Sequence, residues 1–185
     1  LIEKKTGLKF DYKVDSWANL LKKSKNKQID LLPILAKTKE RSKYLLYTNQ
    51  YIEVRDYIFT KDTYKYIEKI EDLYGKTIAI PKGFVQESFL KDNHPKIKIL
   101  TVNSLIDAID AVITNKADAT ISNTAIITFL IKKHNISGIK AHKSFQFDGS
   151  KLYMATRTDY PLLKNIIQKA LNDISFDEKN KIYNK

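Results

Sequence analysis

KQIDLLPILAKTKERSKYLLYTNQY (27–51) and, further along the chain, VNSLIDAIDAVITNKADATISNTAI (102–126) decide the reading of this sequence. Each carries a Lys-bearing turn and an Ile-Asp or Ala-Asp step into a short apolar run. IDLLPIL (29–35) is too apolar for an edge and predicts a buried strand, and ADATIS (117–122) predicts a second. In α/β proteins the ends of such strands meet a cleft, and Thr38-Lys39-Glu40-Arg41 falls just past one of them.

Working outward, strand and helix patterns alternate. FDYKV (10–14) alternates as a strand, and Asp15 or Ser16 then caps a helix with Trp17, Leu20, Leu21 and Ser24 on one face. VRDYIFTK (54–61) is extended, and IEKIEDLYGK (67–76) predicts a short helix ending at Gly75. TIAIP (77–81) and IKILTV (97–102) are strands, with a helix between them that opens after Gly83. Ser104 and Asp107 make a capping box for a helix whose Leu105, Ala108, Ile109, Val112 and Ile113 point inward. A helix over 124–133, a strand KLYMATR (151–157) and a helix opened by Pro161 complete the pattern.

This alternation predicts an α/β protein with two mixed, mainly parallel sheets flanked by helices. No Pro-, Gly- or Ser-rich linker divides the 185 residues, so a lobe boundary must run through strands. The two candidates are 54–60 and 151–157. They place residues 1–57 and 155–185 in one lobe and 58–154 in the other. The opening LIEKKTGLKF reads as the second half of a helix, so a preceding strand is expected to be missing.

Composition narrows the function. Hydrophobic residues at 43% and charged residues at 29% describe a globular chain, and no apolar run reaches the roughly 18 residues of a membrane span. Cysteine is absent, which rules out disulfides and thiolate metal sites. The net charge of +12 invites a nucleic-acid reading, but the lysines are dispersed and the only arginines are Arg41, Arg55 and Arg157. No nucleic-acid partner is therefore expected. His94, His134 and His142 are scattered without metal-ligand spacing, and no G-x-S-x-G, P-loop or G-x-G-x-x-G motif occurs. The acidic pair Glu71-Asp72 reads as solubilising. No catalytic residue, metal or cofactor is expected, and the chain reads as a binding module rather than an enzyme.

The segment 27–51 resembles the pattern "D, apolar strand, T-x-E-R, then F/Y-[ST]-x-x-Y" of bacterial extracellular solute-binding proteins of family 3. Segment 102–126 resembles that family's G-k-a-D-A element in the other lobe. The resemblance implies a two-lobed periplasmic-binding-protein-like (type II) fold hinged by two crossover strands and closing on a small ligand. W-x-x-L-L, D-L-L-P-x-L-A-x-T-x-E-R and T-R-x-D-Y-P-x-L are similar to the branch found outside the membrane ahead of histidine kinases or diguanylate cyclases. That branch implies a periplasmic sensor domain fused to or docked on a membrane signalling protein. The alternative is a free binding protein serving an importer permease, and a third option is a domain regulating a fused cell-wall lytic module.

Arg41 leads the candidate ligand-binding residues. A guanidinium binds carboxylate through two parallel hydrogen bonds, which a lysine cannot do, and in the family this arginine holds the ligand's α-carboxylate. Pairing with Glu40 is the plainer reading. Trp17 stands where the family places a stacking aromatic, though a core anchor reads equally well. Gly83 would let the backbone approach a ligand, beside free N–H groups at the following helix start. There Phe84 and Val85 replace the family's hydroxyl residues, leaving backbone donors and Gln86. Ala36 likewise stands where amino-acid binders carry small hydroxyls, and Asn123 where they carry an acid for the ligand's ammonium. These departures predict a pocket that takes carboxylates but disfavours zwitterionic amino acids.

Overall fold

The computed structural model describes residues 1–145 and 151–183, and the chain divides into two compact units. Unit 1 comprises Leu1–Asp15, Lys22–Glu53 and Lys151–Lys185; unit 2 comprises Ser16–Leu21 and Val54–Ser150. The divisions fall at 53/54 and 150/151, a few residues before the expected boundaries, and Ser16–Leu21 group with the middle of the chain.

Unit 1 is built on one antiparallel sheet. Strand β9 (Lys151–Arg157) lies between β1 (Leu31–Ala36) and β2 (Leu45–Tyr47), and the short β3 (Ile52–Glu53) also pairs with it. Helix α6 (Pro161–Asn172) packs Leu163, Ile167 and Leu171 on Leu31, Met154, Leu8 and Phe10, with Ile2 of α1 (Ile2–Thr6). Of the residues that the sequence places on the inward side, Leu162, Leu163, Ile166, Ile167, Ala170, Leu171 and Ile174, Leu162 is instead 64% exposed, and proline opens the first turn.

Unit 2 holds a five-stranded sheet in the order β6-β5-β7-β4-β8. Its strands are β4 (Asp56–Lys61), β5 (Thr77–Pro81), β6 (Lys98–Val102), β7 (Ala119–Asn123) and β8 (Ile139–Phe145). Because side chains alternate along a strand, Ile78 and Ile80 of β5 enter one core and Ala79 the other. The first core adds Ile58, Ile121 and Leu90 of α3 (Val85–Asn93). The second adds Phe59 and the inner face of α4 (Leu105–Ile113), where the capping box between Ser104 and Asp107 forms as expected.

Several expectations need correction. The fold is α/β with two flanked sheets, but pairing is not mainly parallel: only β5-β6 and β5-β7 are parallel ladders, and the other described pairs are antiparallel. Chain alternation reveals neighbours in sequence, not the direction in which returning strands are inserted. Strand β1 is at the edge of its described sheet, although Leu32, Leu35 and Ala36 are buried as expected. Pro33 has no N–H to donate, the register slips between Leu32 and Leu35, and Ile34 is left 46% exposed. FDYKV forms no strand, with Tyr12 and Val14 76% and 98% exposed. Alternation marks faces, but a strand also needs a neighbour for its N–H and C=O groups. Residues 67–76 contain one 3-10 turn, Ile70–Leu73, closed by Gly75 at φ 78°. There Asp72 is a cap rather than a mere solubiliser, accepting the N–H groups of Glu68 and Lys69 at 3.0 and 3.2 Å.

His142 is also more than a surface residue. It is 4% exposed on β8, with Nε2 2.6 Å from Thr60 Oγ1 and Nδ1 accepting the Ile67 N–H at 3.0 Å. That acceptor role at Nδ1 demands the neutral ring. Burial, followed by nearby Lys140, lowers its pKa. In the unfolded chain a histidine titrates near about 6.5, so below that pH the unfolded state binds the extra proton and the folded state resists it. Stability of unit 2 is therefore expected to fall as pH drops below about 6.5. Urea midpoints from pH 8 to 5 test this, and the slope should flatten in His142→Asn. A variant as acid-sensitive as wild type would count against the assignment.

Candidate ligand-binding site

In unit 1 the segment after β1 folds so as to aim one side chain. Thr38 Oγ1 accepts the Arg41 N–H at 3.1 Å, and Thr38 O accepts the Ser42 N–H at 3.0 Å. The T-x-x-R spacing thus makes a capped 3-10 turn, Arg41–Lys43, and the guanidinium turns back so that Nη1 donates to Ala36 O at 2.7 Å. Ala36 therefore acts through its carbonyl, which orients Arg41. Arg41 is 6% exposed; burial lowers its pKa, and Tyr47 and Tyr44 oppose that shift. Glu40 pairs with Lys43 at 2.7 Å.

The rest of the first motif is scaffolding. Thr48 exchanges hydrogen bonds with Met154 of β9, donating its N–H at 2.9 Å and accepting the Met154 N–H at Oγ1 at 3.1 Å. Tyr51 Oη donates to Pro33 O at 2.7 Å. Tyr47 packs edge-on against Tyr153, with centroids 5.7 Å apart, and burial pushes its pKa up to about 12. Sequence reasoning gave these tyrosines no individual role.

In unit 2 the candidates gather at one end of the sheet, where β5 and β7 finish. Trp17, from α2 (Trp17–Lys25), donates its indole N–H to Gly83 O at 3.1 Å. Gly83 has φ +80°, and a Cβ there would lie 3.3 Å from Leu21 Cδ1 and 3.7 Å from Trp17 Cδ1. Glycine at this position thus serves the packing of α2. Gly83→Ala should cost about 1–2 kcal/mol from the left-handed backbone alone. Because Trp17 is the only tryptophan, its emission should shift as well. Urea unfolding followed by that emission checks both, and an unchanged midpoint would contradict the stated packing.

The turn differs from expectation in its donors. The Gly83 N–H goes to Glu87 Oε2 at 3.2 Å and the Phe84 N–H to Pro81 O at 3.1 Å, so neither is left for an anion. Phe84 packs on the first core rather than standing clear. Val85, half-buried, begins α3, which has no side-chain cap. Gln86, 7% exposed, donates Nε2 to Asp56 Oδ2 at 2.8 Å. Asn123 caps α5 (Thr124–His134) through Oδ1, which accepts the Ile126 N–H at 3.0 Å. Asp56 was missed by sequence reasoning. It is 3% exposed, and a lone acid in the otherwise apolar start of β4 was the available signal.

A cavity of about 170 Å³ lined by Lys61, Tyr64, Asn115 and Asp118 lies at the opposite end of the unit 2 sheet. No cluster of three His, Cys, Asp or Glu among the described residues could hold a metal ion, and no described helix is long and apolar enough to cross a membrane.

Two α/β units with this strand order define a periplasmic-binding-protein-like fold. The chain belongs to the bacterial extracellular solute-binding proteins, family 3, whose family model matches residues 1–185. It is similar to the ABC transporter arginine-binding protein 1 of Escherichia coli (strain K12), 29% identical over 76% of this chain and 58% of that protein. It is also 22% identical, over 96% of its length, to the Virulence sensor protein BvgS of Bordetella pertussis, of which it spans 14%. Among solved structures, an ancestral arginine-binding protein bound to arginine matches 99% of this chain and 82% of its own, with TM-score 0.86 and 24% identity. The B. pertussis BvgS periplasmic VFT2 domain matches 96% and 76%, with TM-score 0.83 and 22% identity. Both arginine-binding proteins and a sensor protein are thus relatives of this chain.

Proposed function

We propose that this chain is an extracytoplasmic ligand-sensing domain that closes on a carboxylate-bearing solute and signals to an attached membrane protein. The observation that carries the reading is Arg41: a buried guanidinium, aimed by Thr38 and the Ala36 carbonyl, at the end of a strand. A rigidly held guanidinium suits the planar, two-point recognition of a carboxylate. The sensor role is supported by the near-complete coverage of this chain in the BvgS comparison. The second reading, a binding protein for an importer of amino acids or related compounds, is favoured by the higher identity to the arginine-binding protein. The gene on either side of this segment separates the two.

A thermal-shift screen of small carboxylates against esters or amides of the same molecules tests the ligand class. Carboxylates alone should raise the melting temperature. Closure is useful only if the ligand gains contacts in the closed state, so small-angle scattering should give a smaller radius of gyration with ligand than without. Equal stabilisation by acids and their esters would count against Arg41 as the anchor.

A further inference from the structure

We propose that the cavity at the starts of β5 and β7 is a second binding site, which takes a small oxyanion of phosphate size through Tyr64, Lys61 and Lys116. It is formed within unit 2 alone and does not depend on the reading of Arg41.

Three chain segments build the cavity. Helix α4 ends in a turn where Asn115 is left-handed at φ 58° and the Lys116 and Ala117 N–H groups both return to Ala111 O, at 2.8 and 3.0 Å. The turn leads into β7. There the Asp118 N–H donates to Thr77 O at 2.8 Å, and Asp118 Oδ2 accepts the Thr77 N–H at 2.8 Å. This reciprocal pair pins the starts of the parallel neighbours β5 and β7. Strand β4 runs antiparallel to β7, so its last residue, Lys61, arrives at the same end. The Tyr64 N–H then closes a turn on Lys61 O at 3.0 Å, and Lys61 Nζ donates to Asn115 Oδ1 at 3.0 Å, joining the two turns. The recess has a volume of about 170 Å³, with the buried Val112 and Ala117 in its lining. A drug-sized ligand needs roughly 300 Å³ or more, so the occupant is an ion or molecule of a few heavy atoms. At about 3.3 Å per residue, the length of β5 sets this cavity roughly 13 Å from the turn that follows Pro81.

The chemistry of the lining favours an anion. Tyr64 Oη is buried with no hydrogen-bond partner among the described residues, a costly state for a hydroxyl. Burial, followed by Asp118, raises its pKa against the effect of Lys76, so the group stays protonated and able to donate at neutral pH. Neither Lys61 nor Lys116 has a carboxylate within ion-pair distance among the described residues. Asp118 is already engaged, by the Thr77 N–H and by Lys76 at 3.9 Å. Two ammonium groups and one hydroxyl donor thus face the cavity's occupant, against one carboxylate that is committed elsewhere. Water would satisfy Tyr64 but neutralise neither lysine. A phosphate offers separate oxygens to all three donors, and lysine binds it as a point charge without demanding a planar partner. A carboxylate has fewer oxygens to share among them.

Calorimetry and amide NMR on the chain, titrated with inorganic phosphate at constant ionic strength, test the site. Wild type should bind phosphate saturably and more tightly than acetate, with the largest shifts at the Thr77, Asn115 and Lys116 amides. Tyr64→Phe keeps the ring and removes the donor, and should weaken binding about fivefold, the scale of one hydrogen bond. Lys116→Glu, on an exposed turn where folding is not at stake, should weaken it about tenfold or more. Arg41→Lys should leave it unchanged. Shifts that never saturate and spread over lysines along the whole chain would mean an adventitious ion only, and would overturn the proposal. So would phosphate affinity unchanged in either Tyr64→Phe or Lys116→Glu, binding abolished by Arg41→Lys, or acetate that binds as tightly as phosphate.

Discussion

Replacing Ile80 by Ala should destabilise unit 2 by about 2–5 kcal/mol, enough to consume much of the stability of a small domain. Ile80 is fully buried in β5, which has β6 on one side and β7 on the other. Its side chain belongs to the core with Ile58, Leu90 and Ile121, and Leu90 anchors α3 there. Truncation removes three methyl or methylene groups from water-free packing. The two β-sheet neighbours cannot move inward without breaking their ladders, so most of the cavity should persist. Urea unfolding read by Trp17, which sits on the Gly83 turn of the same unit, measures the loss directly. A midpoint within error of wild type would mean that this core relaxes far more than its packing implies.

Arg41→Lys should weaken binding of a carboxylate ligand by about 1.5–3 kcal/mol, roughly tenfold to over a hundredfold. Lysine keeps the positive charge, so the comparison isolates geometry. The Thr38 hydroxyl fixes the Arg41 backbone N–H, and Ala36 O accepts from the guanidinium at Nη1. An ammonium on a flexible stem can satisfy Ala36 O or the ligand, but does not present a planar pair of donors. The same change leaves less support for the Ala36 carbonyl, so a modest loss of stability is expected alongside. Calorimetry on the two proteins with one carboxylate decides the matter. Equal affinities would show that Arg41 is a structural residue of the 3-10 turn.

Much of the local architecture was legible because local chemistry produces it. The Ser104–Asp107 box, Pro161 at a first helical turn and Gly75 in the left-handed region are effects of a few adjacent residues. The T-x-x-R spacing was legible as a motif, and its physical meaning is equally local: Thr38 caps the turn that carries Arg41. The Lys82–Gln86 turn was legible only in position. Its Gly83 and Phe84 N–H groups go to Glu87 and Pro81, a choice no spacing rule reveals. Asn123 was read as a ligand contact, and its visible work is to cap α5.

The sequence by itself determined the α/β class, the position of most strands and helices and, through the resemblance of its motifs, the family and the arginine of T-x-x-R. Those positions depend on periodicity, capping and spacing, which act over a few residues. Only the tertiary structure decided the sense of strand pairing, the edge position of β1 and the packing of Trp17 on Gly83, a contact across 66 residues. Only it brought Asp56, Gln86 and Asn123 to one corner. The physical reason is that hydrogen-bond ladders and buried charges are settled by partners distant in the chain. Until those partners are known, an acid such as Asp56 reads as an ordinary surface residue.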